Sequence, residues 1–206
     1  APELKVFVHR NKFGNESIDF ANPDAVKTLN KALLKHFYKI DYYELPPTNL
    51  CPPIPGRADY LHHIADLLAK GINGTLPTGS GIKILDIGTG TGVIALMLAQ
   101  RFPQASLTAV ELDPEAASQA RENCEQSPFS ERLTVMQGRF QDFPVGKYFD
   151  LLVSNPPFFP DHLPASDPKR NQALHTHSLS FEELLQKASQ LLAPTGSFWV
   201  ILPPRQ

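Results

Sequence analysis

Asn155-Pro156-Pro157-Phe158 follows the apolar run Tyr148-Phe149-Asp150-Leu151-Leu152-Val153-Ser154. An amide, two ring-locked prolines and an aromatic after a buried strand suit the grip of a planar amine. An exocyclic amine on an aromatic ring is a poor nucleophile, because its lone pair is delocalised into the ring. The side-chain oxygen of Asn155 and the backbone carbonyl of Pro156 can accept its two N–H bonds. That pulls the nitrogen toward tetrahedral geometry and aims the lone pair at an incoming methyl group. Phe158 then stacks on the base, which must be splayed out of its own stack. The plainer alternative is that the prolines end a strand and Phe158 packs in a core.

A second constellation lies upstream. Asp86-Ile87-Gly88-Thr89-Gly90-Thr91-Gly92 follows another apolar strand. Small residues at Gly88, Gly90 and Gly92 let a cofactor pass close to backbone, and the loop lacks the lysine of a phosphate-gripping P-loop. Glu111 ends the next strand, 19 residues after Gly92. An acid there can accept hydrogen bonds from ribose hydroxyls. The other reading is a solvated carboxylate before a helix N-terminus, which Asp113 fits better than Glu111. Asp86 is expected to brace the loop or to hold the amino group of the cofactor. A glycine loop beside an amine clamp points to an amino-group methyltransferase, and such chemistry needs no metal because the cofactor carries the leaving group. His162, His175 and His177 have no cysteine or paired carboxylate with them, so no metal site is expected.

The elements that must position these groups fall into two regions. Residues 1–80 read as helices and proline-rich loop, and 81–206 alternate strand and helix. Asn22-Pro23 reads as a helix N-cap and first turn, followed by Val26, Leu29, Ala32, Leu33 and Phe37 at helical spacing. Lys27, Lys31, Lys35 and Lys39 fall four apart on a neighbouring stripe, either a solvated face or an RNA-phosphate rail. The five prolines of residues 46–55 exclude a regular helix or central strand. A second helix is expected from about Arg57 to Lys70, and a glycine-rich stretch over 71–81. Strands are expected at 82–87, 106–111, 133–137, 149–154 and 197–202. Helices are expected at 93–101, 115–125 and 181–192, the last with Ser180 and Glu183 as a capping box. This alternation implies an α/β fold with a doubly wound, mainly parallel sheet. Residues 159–177 form a long, polar, proline-rich loop suited to substrate, with Lys169, Arg170 and His175 as expected RNA contacts.

These residues resemble the S-adenosylmethionine-dependent methyltransferases of the Rossmann-like class I fold. Leu85 to Gly92 matches their first motif, Val110-Glu111-Leu112-Asp113 the second, and Asn155-Pro156-Pro157-Phe158 the amino-methyltransferase signature. The resemblance implies S-adenosylmethionine as cofactor. It also divides in two. Residues 81–206 are similar to the bacterial enzymes that methylate adenine N6 in valine tRNA, through Glu122-Asn123, Ser127-Pro128 and Leu179 to Leu184 among others. Residues 15–70 are similar to the 23S ribosomal RNA adenine-N6 methyltransferases, through Asp19 to Pro23, Leu29 to Leu33 and Cys51 to Tyr60. The second resemblance implies that Arg57 pairs with the methionyl carboxylate; the alternative is a surface arginine at a helix start. Two likenesses in one chain imply a fusion or chimera with its seam in 71–81. The family usually has Gly-Asp after the third strand, where this chain has Gly138-Arg139 with Asp142 further on. The usual fold also continues with a helix and two more strands, so the sheet is expected to lack its last strands.

The composition is that of a folded domain, 42% hydrophobic and 19% charged. No apolar run approaches the ~20 residues of a membrane span. Two cysteines without metal-ligand spacing fit a reduced cytoplasmic setting rather than a disulfide framework. The net charge of −2 carries no overall signature of nucleic-acid binding, yet residues 1–40 hold seven Lys or Arg against four acids. The expected organisation is an N-terminal extension over 1–80, contacting RNA and covering the cofactor, and a catalytic domain over 81–206. The expected activity is methylation of adenine N6 in tRNA or 23S rRNA by a monomer. Protein glutamine, guanine N2 and DNA adenine are alternative acceptors, and a cofactor-binding module without catalysis is an alternative of another class.

Overall fold

The computed structural model describes residues 1–47, 49, 51–71, 79–146, 148–156 and 179–202. Its centre is a five-stranded sheet in the order β5-β4-β3-β6-β7, every neighbouring pair parallel. These strands are β3 (Lys83–Ile87), β4 (Ser106–Glu111), β5 (Leu133–Gln137), β6 (Phe149–Ser154) and β7 (Leu192–Val200). Crossover helices α3 (Val93–Arg101), α4 (Pro114–Glu125) and α5 (Phe181–Leu191) join them. Ahead of the sheet come the short antiparallel pair β1 (His9–Arg10) and β2 (Glu16–Ser17), then α1 (Pro23–Tyr38) and α2 (Ile54–Gly71).

Both faces of the sheet are covered, which is why the central strands read as unbroken apolar runs. Ile84, Leu107, Leu151 and Val153 face one apolar cluster with Leu34, Tyr43, Ile54, Leu61, Ile64 and most of α3. Their strand neighbours Leu85, Ile87, Val110 and Leu152 face the other, with Phe140, Phe143 and Leu184, Ala188 and Leu191 of α5. Residues on either side of position 80 therefore share one core. Burying Leu61 and Ile64 there contributes about 1.5–3 kcal/mol each.

Most expected elements appear within a few residues of their expected ends. Asn22 caps α1, its side chain accepting from Asp24 N at 3.0 Å and Ala25 N at 3.3 Å. Two readings need correction. The buried face of α1 is Ala25, Asn30, Leu34 and Tyr38, whereas Phe37 is 61% exposed. A buried polar residue hid that face: Asn30 donates to Cys51 Sγ at 3.1 Å and accepts from Ile54 N at 3.3 Å. The last strand runs over Leu192–Val200, beginning earlier than the expected 197. Pro194 and Gly196 disguised it, for both are tolerated at an irregularity. The β6–β7 register shifts between Phe149 and Leu151, and a Cβ on Gly196 would sit 2.8 Å from Phe149 O.

Candidate functional site

The site lies where the strand order reverses, at the C-terminal ends of β3 and β6. These strands are neighbours in register, Ile87 opposite Ser154, so the glycine loop after β3 and the clamp after β6 leave the sheet side by side. Ser154 Oγ donates to Ile87 O at 3.0 Å and ties the two ends together.

The glycine loop is held from β4. Gly88 N and Thr89 N both donate to Val110 O, at 2.9 and 3.1 Å. Gly88 and Gly90 sit at φ +70° and +60°, in the left-handed region that L side chains rarely adopt. Nothing lies within 4 Å of where their Cβ atoms would be, so the space before them is open. Gly92, at φ +88°, lies close to α4, where a Cβ would stand 3.4 Å from Ala120.

Two carboxylates flank this loop. Glu111 Oε2 accepts from Gly90 N at 2.8 Å and Oε1 from Asp113 N at 3.0 Å. Each oxygen keeps acceptor capacity for a ribose hydroxyl. Asp113 caps α4, accepting from Ala116 N at 2.7 Å, as its helix-start reading expected. Asp86 is 1% exposed. Its Oδ2 accepts from Thr89 Oγ1 at 2.7 Å, while Oδ1 meets no hydrogen-bond partner. Burial pushes its carboxyl up to about 7, partly opposed by the Thr89 bond. The unpaired oxygen, the open glycine cradle and the Glu111 carboxylate fit a nucleoside cofactor with a cationic tail.

The segment ahead of the sheet closes the site from the other side. Tyr43 OH and Thr91 Oγ1 lie 2.6 Å apart, and burial raises the phenol pKa. Asn123 on α4 accepts from Glu44 N at 2.8 Å and donates to Glu44 O and Thr91 O, both at 2.9 Å. Helix α2 reaches the clamp through two residues one turn apart. Tyr60 OH donates to Trp199 O at 2.9 Å and approaches Ser154 O at 3.4 Å. Arg57 meets Asn155 directly. In the amide orientation that satisfies its neighbours, the Asn155 oxygen accepts from Arg57 Nη2 at 2.8 Å and Nη1 at 3.2 Å. Burial lowers the Arg57 pKa, opposed by the nearby Asp86 and Tyr43.

Asp86, Gly88, Gly90, Gly92, Glu111, Asn155, Pro156 and Arg57 thus come from four parts of the chain to one end of the sheet. Phe158, Lys169, Arg170 and His175 lie outside the described residues. Lys27 and Lys31 both engage Glu44, the first at 3.1 Å, and Lys35 pairs with Asp41 at 3.0 Å. Three lysines of the stripe thus share two acids, while Lys39 Nζ donates to His36 O at 3.1 Å. Burial raises the Glu44 pKa, but the Lys31 and Lys27 bonds outweigh it and leave it below the usual value. Arg139, which stands where an acid was expected, lies within electrostatic reach of Glu183. Tyr43, Tyr60 and Asn123 had no assigned role from sequence, although Tyr60 falls on the Arg57 face of α2. Among the described residues no group of His, Cys, Asp and Glu could hold a metal, and no helix is long and apolar enough to cross a membrane.

Comparison with known proteins gives a consistent picture. A family model described as RNA methyltransferase matches residues 1–197. A ribosomal RNA large subunit methyltransferase F of Marinomonas sp. is 42% identical over 76% of the chain and 50% of its own length. The protein of the same name from Yersinia enterocolitica is 40% identical over 92% of the chain and 58% of its own length. The chain thus spans between half and three fifths of these relatives. Among solved structures, the N-terminal domain of human METTL16 in complex with SAH is 25% identical. It has a TM-score of 0.63 and covers 79% of this chain and 64% of its own. The hMettl16 catalytic domain in complex with MAT2A 3′UTR hairpin 1 is 26% identical, with a TM-score of 0.64 over 86% of this chain and 57% of its own. The span matched by the family model includes residues 71–81. One family covers both halves, and neither the chimera nor the valine-tRNA likeness gains support.

Proposed function

The chain belongs to the RNA methyltransferase family matched over residues 1–197, and from that premise we propose that it methylates adenine N6 in large-subunit ribosomal RNA. The cofactor is S-adenosylmethionine, which supplies an activated methyl group on a sulfonium with a good leaving group. The observation that carries this reading is the placing of Asn155-Pro156 beside the glycine loop, through the Ile87–Ser154 register. Gly88 and Gly90 leave room for the nucleoside, Glu111 accepts from its ribose, and Asp86 Oδ1 offers an acceptor to a cationic group. The Asn155 side-chain oxygen and the Pro156 carbonyl accept the two N–H bonds of the adenine amine and orient its lone pair. Phe158 supplies the stacking face for the flipped base. The names of the ribosomal RNA relatives favour that RNA over tRNA.

The test is transfer of labelled methyl from S-adenosylmethionine to unmodified large-subunit rRNA and, separately, to unmodified tRNA. Label is expected in adenine of the rRNA, and Asn155→Ala is expected to reduce it by about 100-fold, the scale of losing one aimed polar group. Undiminished transfer by the variant would remove the clamp from the mechanism. Label confined to tRNA would overturn the ribosomal assignment.

A further inference from the structure

The Arg57–Asn155 pair presents a conflict. An amide oxygen has two lone pairs, and both are engaged by Arg57 Nη2 and Nη1 at 2.8 and 3.2 Å. The same oxygen is the acceptor that the target amine needs. Arg57 for its part is a poorly matched cation. It is partly buried and appears in none of the ion pairs found among the described residues. It donates instead to a neutral amide. A carboxylate is the better partner for a guanidinium, since it offers two parallel charge-assisted bonds.

We propose that Arg57 is shared between the Asn155 amide and the carboxylate of the cofactor's amino-acid tail, and that this exchange makes cofactor binding the event that frees Asn155 for the acceptor base. The inference rests on the cofactor reading above and adds an order of events to it. Arg57 turns from the amide to the carboxylate by side-chain rotation, without movement of α2. Tyr60, one turn further along the helix, stays fixed to Trp199 O of β7 and near Ser154 O of the clamp strand. Until Arg57 leaves, its two N–H groups occupy the amide oxygen that the adenine amine would need. Once Arg57 has left, the clamp presents the acceptor. Base capture before the cofactor is in place is thereby disfavoured, and by linkage a base held in the clamp favours the cofactor equally.

The experiment compares two ligands on the unmodified chain. S-adenosylhomocysteine carries the carboxylate, and 5′-methylthioadenosine has the same nucleoside and sulfur without the amino-acid tail. The Asn155 side-chain amide is followed by its 1H–15N signals, assigned through Asn155→Gln. S-adenosylhomocysteine is expected to shift the Asn155 pair and methylthioadenosine to leave it in place, although both perturb Gly88 and Gly90. In Arg57→Ala the Asn155 pair is expected to resonate near its S-adenosylhomocysteine-bound position from the start. S-adenosylhomocysteine should bind that variant about 10- to 100-fold more weakly, as for a lost charged hydrogen bond. If that variant fails to fold, the two-ligand comparison decides by itself. Binding of S-adenosylhomocysteine with the Asn155 pair unmoved, or equal shifts from both ligands, overturns the exchange and leaves the cofactor reading intact. Failure of both ligands to bind overturns the two together.

Discussion

Asp86 joins the centre of the sheet to the glycine loop, and its ionisation is costly. Its carboxyl is raised to about 7 by burial, whereas an aspartate in an unfolded chain titrates near about 3.9. Between these values the native state binds more protons than the unfolded state, so stability falls as pH rises through the window. The loss is complete above the native value. Asp86→Asn removes this term while keeping an oxygen for Thr89. Urea midpoints are therefore expected to decline from pH 5 to 8 in the parent and to decline less in the variant; parallel curves would contradict the assignment. At this scale the sequence was informative wherever residue type carries chemistry. Gly88, Gly90, Glu111 and Asn155 stand out because few roles suit them at that spacing. Tyr43 and Tyr60 did not, because a hydroxyl on an apolar ring reads as core. Their partners Thr91 and Trp199 are 48 and 139 residues away along the chain.

Elements were legible where local signals agree. Helix α5 begins with the capping box expected from Ser180 and Glu183. Ser180 Oγ accepts from Glu183 N at 3.1 Å, and the Glu183 carboxylate accepts from Ser180 N at 2.8 Å. Leu184, Ala188 and Leu191 of that helix cover one face of the sheet. Ser180→Ala is expected to cost about 1 kcal/mol, which for a chain of this size lowers the melting temperature by about 2–4 °C. Thermal unfolding followed by circular dichroism measures it, and a shift within error would show that the cap is dispensable. Two elements resisted sequence reading for a common reason. The inward face of α1 contains Asn30, and β7 contains Pro194 and Gly196. In each case a tertiary partner, the Ile54 amide or the backbone of β6, satisfies a residue that local propensity marks as out of place.

Across the whole molecule, the segment before the sheet and the sheet itself make one site. Asn123 is 0% exposed and satisfies Glu44 N, Glu44 O and Thr91 O. Asn123→Ala leaves the buried Thr91 O and the partly buried N and O of Glu44 without their partner, and the buried group alone costs about 1–3 kcal/mol. A large loss of stability is expected, and amide exchange at Glu44 should accelerate more than exchange within β3 and β4. Equal acceleration everywhere would mean that Asn123 supports the fold generally rather than the closure of Tyr43 and Glu44 over the glycine loop. That closure could not be read from the chain because no local pattern links Glu44 to Asn123, 79 residues apart.

The bond from Tyr60 to Trp199 spans 139 residues and joins an early helix to strand β7. During synthesis the chain emerges from its N-terminal end, and distant pairings of parallel strands are slow to close. Helix α2 therefore waits, with Arg57 and Tyr60 in hand, while glycine loop and clamp strand are still being made. The site is therefore complete only after Trp199 has been made, and a chain stopped short of that residue holds α2 without its anchor on β7.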